Sequence, residues 1–543
     1  MKKTVKYLIA AVLLVSAASC SKEPMESISN GSAMPDRIIT ASFDNSSMTR
    51  TTLDGRNPKW ASGDSLVLID DQQHAITCHL IPADATATPD VANMYATLSD
   101  DCSSFKLVIP GNWGWSEKIY AFYPASSFVK VEDDKMYYRI PHTQNGTFGS
   151  ANICLAKLDG SSLAFKNAVS IIKLSEVGEG IDYVSVLAKN ITGVFVVGNP
   201  GEVPVATEGI GKAAIHSTGS EYYAAVAPVA VPAESWLLFE DADHTIVGAK
   251  QTAHDNAFEL GKLYNLGSVS KNDRIPEGMI RQAYTISEDG RTIHFAKAGL
   301  RAVYNGSGYT WEFAPNQYNF LSNYSIEHNG NLTIANPQVG DIVDVFSWVG
   351  ASGSEAAFGI TDATDAACLG TDPEPLKSDW GAVFGPNSIW RTPEGTLFQL
   401  LNKRNTWLGK DDMPKYANIS ISVSNGSLSV VNGLLIFPDN FEWTSAMGTK
   451  PDNINVSTKI AFKGSYTLDN FKAMEDAGCV FFPARGRKCG SAYGNQNKRV
   501  YLWLNSPAAS SKAYCVLAQS GSNLTWAKEM DRKNSYEVRL ITE

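Results

Sequence analysis

The sequence predicts a mainly β protein that ends in a small α+β module. Short runs with period-two alternation or β-branched enrichment recur from Arg37 onward, as in IITASF at 38–43, SLVLI at 65–69, FKLVI at 105–109 and VFVV at 194–197, with Gly, Asn, Asp and Pro turns between them. No helical pattern separates these runs in the N-terminal half, which favours antiparallel sandwiches over parallel α/β units. Two helical patterns appear only further along, among β-like runs, as an α+β module requires. At 543 residues the chain is too long for one core, and with 44% hydrophobic content it is too apolar for disorder.

The first element in order is a leader. Lys2, Lys3 and Lys6 precede the apolar run 7–15, which is shorter than the roughly 20 residues needed to cross a bilayer. Residues 1–19 therefore read as a secretory signal peptide. SAASC at 16–20 resembles a bacterial lipobox, with Ala17 where such boxes usually carry Leu. That resemblance implies acylation of Cys20, and two or three acyl chains give durable anchoring. Residues 20–36 are polar and aperiodic, which suits a lipidated tether to the outer membrane. Lys22-Glu23 beside the cysteine resembles a surface-export signal of Bacteroidota lipoproteins.

Next come RTTLDG at 50–55 and WASGDSL at 60–66, then IYAFYP at 119–124, IPHTQ at 140–144, LAFKNA at 163–168, YYAAVAP at 222–228 and GKLYNLG at 261–267. As structural devices, Trp60 would be a buried aromatic beside the Gly63-Asp64 turn, Tyr123-Pro124 a strand terminus and Phe165 an inward-facing core residue. The ordered set resembles the fimbrillin (type V pilin) family of Bacteroidota over about 37–270. The resemblance implies two tandem transthyretin-like β-sandwiches, 37–175 and 176–270, divided after the strand IIKL at 171–174. It also implies that a protease cuts after an arginine in the loop following the first strand, and that the groove left behind takes a strand from another fimbrial subunit. Arg50 stands at the matching place.

A charged, Pro- and Gly-containing stretch at 271–277 reads as a linker. Beyond it, in 278–543, the texture changes. The last of eight histidines is His328, while eight of twelve tryptophans lie at 311, 348, 380, 390, 407, 443, 503 and 526. One helix is expected from 393, with Thr392 as cap and Pro393 at its first position. A second is expected at 467–477, with Thr467 as cap, Leu468, Phe471 and Met474 on one face, and Gly478 as terminator. Strands are expected within 428–439, 479–484, 500–504 and 536–541. WRTPEGTLFQLL, NGLLIFPD, AGCVFFPARGRKCG and YEVRL, in that order, resemble the Fibrobacter-type major paralogous modules, which implies a C-type-lectin-like fold.

Chemistry narrows the function. After His328 the chain cannot build a histidine-dependent triad or an imidazole zinc site. Neither Glu-Pro-Asn nor Gln-Pro-Asp occurs in the tail, so the calcium-dependent sugar site of C-type lectins is not expected. Asp439-Asn440 and Asp452-Asn453 read as turns. Asp411-Asp412 and Glu475-Asp476 read as solvated doublets rather than a glycosidase pair. Cys479 and Cys489 could be a redox pair, a disulfide or two unrelated thiols, and seven cysteines remain beside Cys20, an odd number. No catalytic residue, metal or cofactor is expected. A net charge of -10 argues against a nucleic-acid partner.

The polar, Gly-rich, locally basic loop 485–499 and the strand after it supply the candidate ligand-binding residues: Arg485, Arg487, Tyr493, Asn495, Gln496, Trp503 and Asn505. Trp390, which precedes a helix, reads as core. The expectation is a lipid-anchored, surface-exposed fimbrial tip or accessory adhesin that binds a glycan or host surface protein. A surface glycan-binding lipoprotein that never polymerises fits the same residues.

Overall fold

The computed structural model describes residues 35–44, 59–89, 93–216, 220–320, 338–348, 379–385, 387–425, 428–489, 492–509 and 511–542. The mainly β class holds across all of them. The first unit contains β1 (Arg37–Phe43), β2 (Ser65–Asp70), β3 (Ala75–Ile81), β4 (Asn93–Leu98), β5 (Ser104–Ile109) and β6 (Ile119–Tyr123). After β7 (Phe128–Glu132), β8 (Lys135–Ile140) and β9 (Thr143–Gln144), the chain returns to it with β10 (Cys154–Asp159) and β11 (Ser162–Asn167). Eight strands close into a barrel in the order β1-β11-β10-β6-β2-β3-β4-β5, so no edge in this unit is left unpaired.

Alternation fixes what the barrel buries. In β5, Phe105, Leu107 and Ile109 point inward and Lys106 outward. In β1, Ile39 and Ala41 are buried while Ile38 is exposed. Trp60 fills the centre as expected: it stacks on Phe43 at 4.1 Å and meets Phe105, Tyr123 and Phe165 edge-on at 4.9 to 5.1 Å. β6 ends at Tyr123, before Pro124.

The second unit holds β12 (Ser170–Lys173), β13 (Glu176–Val177), β14 (Tyr183–Val197), β15 (Val205–His216), β16 (Tyr223–Val226), β17 (Ala230–Val231), β18 (Trp236–Glu240) and β19 (Ile246–Gln251). β12 pairs with β16 and with the strand Leu263–Asn265, whereas β8 pairs with β14. The run at 171–174 is thus a strand, but it belongs to the second unit. Strand pairing changes hands after Asn167, not at 175/176, and 128–144 crosses over to the second sheet. An apolar pattern specifies a strand and leaves its sheet open: Ile171 packs with Phe122 and Tyr138 between the units, while Ile172 faces Val184, Ile215 and Phe239.

The stretch 271–277 is not a free linker. Asn272 donates its backbone N–H to Val247 at 3.2 Å and accepts from the Ala249 N–H at 3.1 Å. Ile275 packs on a core that joins Leu187, Leu238, Ile246 and Ala249 of the second unit to Met279, Leu300, Phe346, Trp380 and Trp503 of the third. The second and third units therefore share one hydrophobic core.

The third unit is α+β. A four-stranded sheet orders Lys463–Thr467, Tyr416–Ser422, Val431–Ile436 and Val480–Pro483, and a second sheet orders Arg499–Ala509, Lys512–Gln519 and Thr525–Asp531. The expected strand at 536–541 resolves into two short ones, Ser535–Tyr536 and Ile541–Thr542. The first helix runs Gly395–Leu408 with Glu394 as cap, later than expected, and Thr392 instead donates its backbone N–H to the Asp379 carboxylate at 2.9 Å. The second, Leu468–Asp476, starts at the expected Thr467, whose side chain and that of Asn470 form a reciprocal capping box. Phe471 and Met474 are buried, but Leu468 is 47% exposed, so the apolar stripe starts one turn later than the sequence suggests.

Candidate functional site

Cys20 and Arg50 lie outside the described residues. The strand that Arg50 follows is described: β1 runs antiparallel to β5 from Arg37↔Ile109 to Ser42↔Ser104 and parallel to β11 from Thr40↔Ser162 to Phe43↔Phe165. It is the strand whose two ladders close the barrel seam. Its contribution to the core is Ile39, Ala41 and the ring of Phe43.

The seven residues expected to form a recognition face do not come together. Arg485 is 2% exposed, pairing with Asp344 at 2.9 Å and with Glu537 at 3.1 Å. Burial raises the Glu537 carboxyl and the two arginines Arg485 and Arg539 oppose it, a closed network that serves the core. Trp503 is fully buried, and its indole N–H donates to the Phe346 carbonyl at 2.7 Å. Both are corrections to the surface reading. The loop looked extended, but at Gly486 (φ +75°) a Cβ would sit 2.4 Å from the Gly494 carbonyl oxygen, so the chain doubles back and carries Arg485 inward.

Arg487, Asn495 and Gln496 remain half-buried on the resulting hairpin. Tyr493 pairs through its backbone with Lys488, and its side chain lies outside the description. Lys488 itself is buried, and burial pulls its ammonium down to about 7. Cys479 is a buried free thiol, pushed well above the usual range by burial, which suits packing rather than redox or metal chemistry. Among the described residues no cluster of three His, Cys, Asp or Glu side chains is arranged to hold a metal.

Asn505 leads elsewhere. Its amide donates to Asp379 at 3.1 Å, and it lines a hollow of about 400 Å³ between the second and third units. Around Gly385 and Asn387 to Trp390 lies a larger cleft of about 880 Å³ along the same junction. One wall is the second unit, with Glu234, Trp236 and Gln251. The other is the third unit, with Trp311, Phe313 and Phe384. Phe384 is 37% exposed, and its ring lies 5.0 Å from Phe313, which meets Trp390 edge-on at 5.0 Å. Trp390 is 8% exposed; it belongs to the core as expected and also forms the floor of the cleft.

This junction cleft is a concave site lined by both units, and the sequence reading missed it. The alternation in Tyr309–Phe313, which puts Trp311 and Phe313 on one face, was the available signal. Nothing local could have placed that face opposite Trp236, some 75 residues earlier.

No protein-family model and no curated protein matches the chain. Among solved structures, it is similar to a candidate cell adhesion protein from Bacteroides uniformis at 17% identity, covering 44% of this chain and 94% of that one with a TM-score of 0.26. A fimbrial assembly protein from Parabacteroides distasonis matches at 9% identity over 48% and 94% of the two chains, TM-score 0.24. A fimbrial protein from Bacteroides ovatus matches at 11% over 94% and 99%, TM-score 0.20. Likeness at TM-scores this low carries no functional weight.

Proposed function

We propose that the chain is a lipid-anchored, surface-displayed adhesin of the fimbrial type, which accepts a strand from another subunit at its N-terminal barrel and binds its ligand through the third unit. The observation that carries the reading is the seam strand. β1 is held by two backbone ladders but lends the core only Ile39, Ala41 and Phe43. Its removal would expose the inner groove around Trp60 and Phe105, bordered by two strand edges ready for a replacement. The ordered motifs of 50–267 and the position of Arg50 support the same reading.

Accepting a strand suits a tip or accessory subunit. The segment from Tyr536 to Thr542 is locked in place: Tyr536, Ile541 and Thr542 are buried, and Ile541–Thr542 pairs with Thr292–Phe295. It is not free to serve as a donor strand. The test is digestion of the full chain with an Arg-specific protease, followed by N-terminal sequencing. A single stable product beginning at Thr51, absent from Arg50→Ala, supports the proposal. An undigested chain that still begins at Cys20 refutes it.

A further inference from the structure

We infer that the cleft between the second and third units binds an uncharged oligosaccharide. The inference rests on the adhesin reading for its biological setting and on the cleft alone for its chemistry.

Size comes first. A volume of about 880 Å³ falls in the roughly 300–1,000 Å³ range of small-molecule sites, and the adjoining hollow of about 400 Å³ extends it along the junction. That elongation suits a chain of sugar units better than a single compact ligand.

The lining alternates flat rings with hydrogen-bonding side chains. Trp236 on one wall and Trp311 and Phe384 on the other line the cleft and are partly exposed; Arg274 lies over the Trp236 ring at 5.9 Å, and Trp311 packs on Phe346 at 5.4 Å from the core side. Such faces receive the C–H faces of pyranose rings by stacking. Gln251, Asn387 and Ser388 lie among them with both donors and acceptors, as sugar hydroxyls require, and Glu234 and Glu277 accept from hydroxyl pairs. A lipid would need a continuous apolar lining, which these polar groups interrupt.

Charge then sets the class. The two hollows together are lined by Lys189, Arg291, Lys297, Arg301 and Arg391 against Glu234, Glu277, Glu312 and Glu394. Five cations against four carboxylates leave a difference of +1. Arg301 is paired with Glu312, and Arg391 with Glu394 at 3.5 Å. A site this balanced gives a polyanionic or polycationic ligand little net attraction.

Pre-organisation completes the case. Both walls are tied into the shared core of Leu238, Ile246, Phe346 and Trp380, so closing the cleft costs little ordering of the protein.

The experiment uses the full chain on an array of neutral oligosaccharides, with uronic-acid oligosaccharides of matched length and unstructured peptides beside them. Binding to neutral oligosaccharides, about tenfold weaker in Phe384→Ala and in Trp236→Ala, is the expected result. Asn495→Ala and Gln496→Ala, on the hairpin away from the cleft, should bind as the parent does. Phe384 is exposed enough that its loss should leave the thermal melt unchanged, which keeps the test valid if Trp236→Ala folds poorly. Neutral-glycan binding that survives both cleft substitutions, or preference for acidic glycans or peptides, overturns the inference. The adhesin reading is tested separately: cleavage after Arg50 without cleft binding leaves it standing and removes this inference, and the reverse pattern does the opposite.

Discussion

The N-terminal barrel buries rings around Trp60, whereas the junction between the second and third units buries charges around Glu240. Inside the barrel every core residue comes from 39–165, while its outer face, with Ile69, Tyr120, Phe122 and Leu155, packs on Tyr138, Ile171 and Phe195 of the second sheet. At the junction, Lys212 of β15 reaches Glu240 of β18 at 2.8 Å and donates to Thr292 of the third unit at 3.2 Å. His244 meets the same carboxylate at 3.0 Å, and His294 is buried alongside. Burial raises the Glu240 carboxyl, but Lys212 and His244 outweigh it and leave it well below the usual range. The difference teaches a division of labour. β1 takes no part in the cluster that ties the barrel to the second sheet, so it can be exchanged without disturbing that contact, while a polar junction with fixed geometry holds two walls of a cleft in register.

The comparison can be broken most forcefully at its two centres. Trp60→Ala should cost about 3–5 kcal/mol, read by chemical denaturation, with the loss confined to the barrel's transition. Lys212→Met removes one partner of a buried pair and should cost a similar 3–5 kcal/mol, but in the transition shared by the second and third units. If both substitutions move the same transition, the barrel's inner core does not melt independently and the contrast fails.

A smaller effect sharpens the contrast through pH. Burial, and after it Lys212, hold the His294 imidazole down to about 4, against 6.5 in an unconstrained chain. As pH falls, the unfolded chain takes the proton first, so this stability is complete above pH 6.5 and lost as pH drops through about 4. The depression corresponds to about 3 kcal/mol. The junction should melt earlier at pH 4.5 than at pH 7, and His294→Gln should flatten that dependence. An equal pH response in the variant would rule His294 out as its source. Smallest is Thr467→Ala, which loses the capping box of an exposed helix end and should cost about 1 kcal/mol in the third unit's melt.

What was legible in the sequence follows the same boundary. Period-two alternation exposed β1 and β5, a continuous apolar run exposed β2, and the aromatic set Trp60, Tyr123 and Phe165 announced a core, because strands and inward faces are local properties. Sheet membership is not local, and so the strand at 171–174 was credited to the wrong unit. The candidate site suffered most. Arg485 looked like a surface base because its partners, Asp344 and Glu537, lie 141 residues before it and 52 after. Trp503 looked available because the Phe346 carbonyl that holds its indole is equally remote. Of the seven candidate residues only Asn505 lines the junction hollows, and it does so just after Val500 to Leu504 of the same strand, which fill the core.

The central claim is that the seam strand of the barrel can be replaced. Its most direct test is to cut the full chain with an Arg-specific protease, remove the released segment, and titrate a synthetic peptide of the 37–43 sequence while following size by light scattering. The account predicts one peptide bound per chain, recovery of the barrel's thermal transition, and no self-association of the cut chain. A cut chain that ignores the peptide, or that unfolds throughout when β1 is gone, would contradict it.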